Sequence, residues 1–376
     1  MKIVVFGLTI SSSWGNGHAT LWRGLCKALT KIGHEVTFFE RNAPYYSAHR
    51  DWEQMPNGEL ILYDSWCDVL EQVRTSIVEA DVAIVTSYCP DAIAATQEML
   101  DASVLRVFYD LDTPVTLDAL RSGNRVAYLP TSGLRDFDLV LSYTGGDALN
   151  DLEDHLGASN AHPLYGHVDP EVHRPVPPLG HYRADLSYLG TYAADRQPML
   201  ERLFVRAARL QPNKRFLIGG AQYPEDFPWT NNVYFVQHVA PADHAAFFCS
   251  SRLTLNVTRA AMAAMGWCPS GRLFEAAACG AVLLSDWWTG LDAFYAPESE
   301  ILIADDTTAA LVALDLSDET LRRIGQAARE RTLAEHTCHH RARELCNLLE
   351  SAPLAKQSNS LRERQQPISQ SASRRI

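Results

Sequence analysis

No apolar run in this chain approaches the roughly 18–20 residues that a membrane-spanning helix needs. None of the 8 cysteines stands in a Cys-x-x-Cys pair, which removes the usual spacing for structural zinc or thiol redox chemistry. Cys338, His339, His340 and Cys346 look ligand-like, but they fall in an amphipathic helical pattern and read as ordinary helix residues. An excess of positive charge is missing too. With 33 Lys and Arg against 45 Asp and Glu, the net charge is −12, which argues against nucleic acid or an anionic membrane as a partner. The N-terminal apolar run is too short for a signal peptide, so the expected location is cytoplasmic. Beyond two similar α/β halves there is no internal repeat.

At 376 residues the chain is too long for one comfortable core and suits two domains. Residues 2–7 form an apolar run that predicts a buried strand. A glycine-containing loop with Gly15 and Gly17 follows, then helical spacing over 20–32 and a second strand at 34–40. This βαβ unit predicts a parallel sheet, with the loop after its first strand at the ligand-binding edge. No glycine stands at the third place of a Gly-x-Gly-x-x-Gly fingerprint, so a nicotinamide site is not indicated. Gly17 lets a substrate approach the backbone. His18 either serves a phosphate or the reacting group, or merely caps the helix. Further strands are expected at 81–87, 104–109 and 137–142. Asp110 and Asp112 close the second of these, and Asp110 is the candidate base on the acceptor side.

Pro175, Pro177, Pro178 and Gly180 make a stiff linker. The expected division is therefore 1–175, 176–335, a helix at 336–350, and a disordered tail at 351–376, rich in Ser, Gln and Arg. After the linker, a strand ends at Gly190 with Arg196 nearby, and another ends at Asn256 with Arg259 beyond it. All four belong to the candidate ligand edge.

The most informative stretch is 269–286. Pro269, Ser270 and Gly271 supply turn and N-cap chemistry, Arg272 opens a helix, and Gly280 stops it before an apolar strand. An arginine in the first helical turn opposes the helix dipole unless an anion shares the site. Glu275, one turn on, can accept hydrogen bonds from the paired hydroxyls of a ribose. The plainer reading is an exposed Arg272–Glu275 pair worth a few tenths of a kcal/mol.

Glu275 through Val282, with Arg272-Leu273-Phe274 before and Leu284-Ser285-Asp286 after, resembles the nucleotide-sugar signature of GT-B glycosyltransferases. The closest resemblance is to the branch that includes the CgeB-type spore-maturation proteins. The resemblance implies two Rossmann-like domains facing a cleft, with the second binding a nucleotide-sugar, Glu275 holding its ribose, and the helix at 336–350 crossing back to the first domain. It implies a sugar transferred to an acceptor that is a saccharide, a protein or a small molecule. It also implies retention at the anomeric carbon, and no metal or cofactor beyond the donor. Asp-x-Asp metal chemistry belongs to the other major glycosyltransferase fold. Many retaining members carry an acid eight positions before the residue matching Glu275. Trp267 stands there instead, and stacking on a base or sugar is the expected substitute. A nucleotide-sugar epimerase and a non-catalytic sugar-nucleotide binder are the alternatives.

Overall fold

The computed structural model describes residues 1–15 and 17–352, and the tail expected to be disordered lies outside them from residue 353 on. The described residues form two parallel sheets. The first contains β1 (Lys2–Gly7), β2 (Glu35–Arg41), β3 (Glu59–Tyr63), β4 (Val82–Thr86), β5 (Leu105–Asp110), β6 (Leu139–Ser142) and β7 (Ala161–Pro163). Its order is β3-β2-β1-β4-β5-β6-β7. The near-continuous apolar run of β1 fits its central place, where Ile3 faces Val36 on one side and Val82 on the other.

The second sheet contains β8 (Ala184–Leu189), β9 (Phe216–Gly220), β10 (Val233–Gln237), β11 (Ser251–Asn256), β12 (Leu283–Ser285) and β13 (Leu302–Ile303), in the order β10-β9-β8-β11-β12-β13. In each sheet the strand order reverses beside the first strand, between β1 and β4 and between β8 and β11. Such reversals open a crevice at the carboxyl ends of the strands, where ligands bind in this class of fold. This is the expected α/β architecture of two Rossmann-like sheets.

The first helix runs over Gly17–Lys31, three residues earlier than its spacing predicts, so His18 lies inside its first turn. Ala19, Leu21, Trp22, Leu25, Ala28 and Leu29 are buried along it. The C-terminal helical segment is two helices, Asp318–Glu335 and Cys338–Ser351, broken at His336. Cys338, Ala342, Leu345, Cys346 and Leu349 of the last helix join the core beneath the first sheet. The backbone amide of Cys338 donates to the Val168 carbonyl at 2.8 Å, and that of Val168 donates to the His336 carbonyl at 3.0 Å. Cys346 Sγ lies 3.1 Å from His34 Nε2. Cys338 and Cys346 are thus packing residues. No helix among the described residues is long and apolar enough to cross a membrane.

Candidate active site

A cleft of about 420 Å³ lies where the two sheets face each other, and both halves line it. Its size is that of a small-molecule site. The second half supplies the helix Gly271–Ala278, whose first turn opens on the cleft after the extended N-cap Ser270.

Arg272 lines the cleft from that turn. Its Nη1 donates to Asn256 Oδ1 at 3.1 Å, and its guanidinium lies 5.4 Å from the Tyr188 ring centre. Burial holds its pKa below the ordinary arginine value, with the charge of Arg196 contributing in the same direction. Among the described residues no carboxylate forms an ion pair with either arginine at contact distance, and Arg196 Nε is buried without a hydrogen-bond partner. The Asp195 carboxylate is taken by Arg259 at 3.1 Å instead. Burial works to raise the Asp195 carboxyl, but the bond and charge of Arg259, the Ala260 amide and the charge of Arg196 together hold it low. Glu201 accepts from Gln197 at 2.9 Å. Two guanidiniums therefore converge beside a helix N-terminus with no anion of the protein's own between them.

Glu275 lines the cleft one turn further along the same helix. Gly190 also lines it, and a Cβ there would stand 2.9 Å from Tyr188 Oη and 3.2 Å from Arg272 Nη2, so a side chain would crowd the arginine. Gly17 lines the opposite wall, and among the described residues no atom beyond its own helix backbone and chain neighbours lies within 4 Å of where its Cβ would be. Its missing side chain keeps cleft volume open. His18 faces the cleft from the first half, with Nε2 2.8 Å from Asp112 Oδ2.

Three expectations need correction. Asp110 is fully buried, and does not line the cleft; its Oδ1 accepts from the Asp112 amide at 3.0 Å, and burial pushes its carboxyl up to about 6. The carboxylate that reaches the cleft is Asp112. Asn256 is likewise buried. Its Nδ2 donates to Thr258 Oγ1 and Ser285 Oγ at 3.3 and 3.0 Å, so its part is to hold Arg272. Trp267 does not line the cleft either. It sits in the left-handed region at φ 48°, its ring wedged between Gly146 and Gly290, and its backbone carbonyl accepts from the Gly145 amide at 3.0 Å. Arg259 lines the cleft at its exposed margin.

Some cleft residues carry no sequence signal that our reading used. His238, Val239 and His244 follow β10 and line the wall beside Glu275. Trp14 stacks on His238 across the mouth, joining the two halves at the rim. Their place after a parallel strand's carboxyl end was the available clue.

Residues 196–347 match the family described as glycosyl transferase-like. No curated protein matches the chain. Among solved structures, the sucrose-phosphate synthase of Thermosynechococcus elongatus superposes with a TM-score of 0.67 at 16% identity, covering 93% of this chain and 98% of that one. HepE of Anabaena, solved in complex with UDP-glucose, gives 0.65 at 14% identity over 93% and 100%. An alpha-glucosyltransferase solved with UDP-glucose and DNA containing an abasic site gives 0.67 at 13% identity over 93% and 100%. At these identities the structures establish a shared fold, and the family match covers residues 196–347. Residues 196–347 thus match a glycosyl transferase-like family, and the pair of facing parallel sheets has the GT-B fold of these structures.

Proposed function

We propose that the cleft binds a uridine-diphosphate sugar and transfers its sugar to an acceptor entering from the first half. The observation that carries this reading is the convergence of Arg196 and Arg272, neither paired with a carboxylate, on the N-terminus of the helix that carries Glu275. A diphosphate is the complementary ligand, since helix amides and guanidiniums both favour it. As the anomeric carbon–oxygen bond breaks, negative charge grows on the leaving diphosphate. Fixed cations in a low-dielectric cleft stabilise that charge without reorganising. These groups supply what a divalent metal would, so transfer is metal-independent in this reading. Glu275 accepts from the two ribose hydroxyls and orients the reacting bond. Uridine is favoured because HepE and the alpha-glucosyltransferase were both solved with UDP-glucose.

On the opposite wall His18, held by Asp112, faces the reacting sugar or the acceptor hydroxyl. Retention at the anomeric carbon rests on the resemblance of the 269–286 stretch. The functional division follows the expected one, with residues 1–175 offering the acceptor side and 176–335 the donor side. The acceptor is a saccharide, a protein or a small metabolite, and the acidic net charge disfavours nucleic acid.

The first test is a thermal-shift screen with UDP, GDP, dTDP, ADP and their sugars on the wild type and Glu275→Ala. A ligand at about a hundred times its dissociation constant adds roughly 2.7 kcal/mol. We expect UDP to stabilise the wild type and the variant to lose most of that shift. No stabilisation by any nucleotide would remove the reading's main support.

A further inference from the structure

One cluster outside the diphosphate and acceptor residues brings three ligand-type side chains together. His173, His244 and Glu275 each offer one ligand atom, and these atoms all lie within 4.8 Å of one another. They come from three separate segments. His173 ends a turn whose amide donates to the Asp169 carbonyl at 2.9 Å, just before the proline linker. His244 begins the helix His244–Cys249, and Glu275 lies on the helix Gly271–Ala278. His173 is only 4% exposed, and its Nε2 is buried with no hydrogen-bond partner. A buried imidazole nitrogen left unpaired is unfavourable unless something else takes up its lone pair or proton.

Two imidazole nitrogens and one carboxylate oxygen are the donor set of zinc sites that keep a fourth position open. Magnesium and calcium prefer oxygen donors throughout. Ligands bound at about 2.0–2.2 Å in a tetrahedron lie roughly 3.3–3.6 Å apart. The three atoms here, all within 4.8 Å, need to close by at most about 1.5 Å to reach that geometry.

We propose that His173, His244 and Glu275 bind a zinc-type divalent cation in the donor-side wall, and that this cation competes with the donor for Glu275. The competition rests on the ribose-holding role given to Glu275 above. A carboxylate engaged by a cation no longer offers both oxygens to the ribose hydroxyls. The cation is thus an inhibitory ligand, and the transfer itself proceeds without it.

The test uses the full chain and zinc chloride, read by calorimetry with no nucleotide present. One site per chain is expected, weakened at least tenfold by His173→Gln and by His244→Asn. UDP affinity is then measured with and without saturating zinc. Zinc should weaken UDP binding at least fivefold in the wild type but leave it unchanged in His173→Gln, which also controls for zinc withdrawing UDP from solution. Zinc binding that survives both substitutions overturns the site. If the variants fail to fold, the cobalt-loaded wild type decides: a tetrahedral absorption band without thiolate charge transfer supports the site, and an octahedral spectrum overturns it. If zinc binds as expected but UDP affinity does not move, the competition is overturned. If UDP fails to bind even without zinc, the donor reading and the competition fall together, while the zinc titration still decides the site.

Discussion

Asp110 and Arg272 show what burial does to a single charged group. Asp110 is fully buried, and burial pushes its carboxyl up from the ordinary 3.8 to about 6. The folded state therefore holds the proton more tightly than the unfolded one. Below the unfolded value both states are protonated and nothing is lost. As pH rises through 3.8 toward 6 the fold loses stability, and above 6 the loss is constant at on the order of 3 kcal/mol. Asp110→Asn should melt higher than the wild type at pH 8, with the two converging as pH approaches 4. A wild type that is the more stable at pH 8 would refute this. Arg272 is buried for an opposite purpose. Arg272→Lys should weaken UDP by roughly 10- to 100-fold, the range for a hydrogen bond to a charged group. Uridine, which has no diphosphate, should bind as before; equal losses for both would mean the helix itself had shifted. That Arg272 and Glu275 belong to one ligand-facing helix turn was legible in the sequence, because a cation in a first helical turn breaks a local rule, and both line the cleft. Asp110 is buried as the last residue of β5, whereas Asp112 lies past the strand's end, at the start of the helix Thr113–Arg121; alternation could not separate them, since residues two apart share a strand face. Nothing in those three letters says where β5 stops.

Loops set against a single indole decide how the elements meet. Gly146 has φ 60° and ψ −141°, a region that side chains other than hydrogen rarely enter, and a Cβ there would stand 2.5 Å from Trp267 Cδ1. Gly146→Ala should lower the unfolding free energy by about 2–4 kcal/mol, from backbone strain and overpacking together. Urea denaturation measures it, and a loss below about 0.5 kcal/mol would show that the loop simply yields. The pairing of Trp267 with two glycines far apart in the sequence was not readable, because neither glycine marks its partner. Most strands were readable as short apolar runs between turn residues. The edge strand Glu59–Tyr63 and the helix Trp66–Glu79 were absent from our sequence reading, although Val69, Val73 and Ile77 recur at helical spacing. The final strands were displaced by a residue or two, as boundaries usually are.

The two halves are not two separate stretches of chain. Leu345 is completely buried among residues of the first sheet and its first helix, yet it lies near the far end of the described chain. Leu345→Ala should cost about 2–5 kcal/mol, the range for a buried leucine. That loss should appear as earlier exposure of the first half in amide exchange, around Trp22 and Leu25. Uniform loss of protection would mean instead that the molecule unfolds as one unit. The crossing of this helix was expected from the resemblance, while the helix and the break at His336 were legible through helical spacing. Its partner face on the helix Gly17–Lys31 was not, since periodicity reveals that a face is buried without revealing against what. The same limit hid the cleft, which exists only because the reversal points of two sheets face one another.

That closing helix has a bearing on how the protein is made. On a ribosome the helix Gly17–Lys31 emerges early and the helix Cys338–Ser351 emerges last, about 300 residues later. At about 5–20 residues per second, the interval is roughly 15–60 s. Through that time the apolar groove meant for Leu345 and Leu349 has no cover, and nascent-chain chaperones have a defined surface to hold. Synthesis of that helix, not the completion of either sheet, is then the event that lets the first half mature.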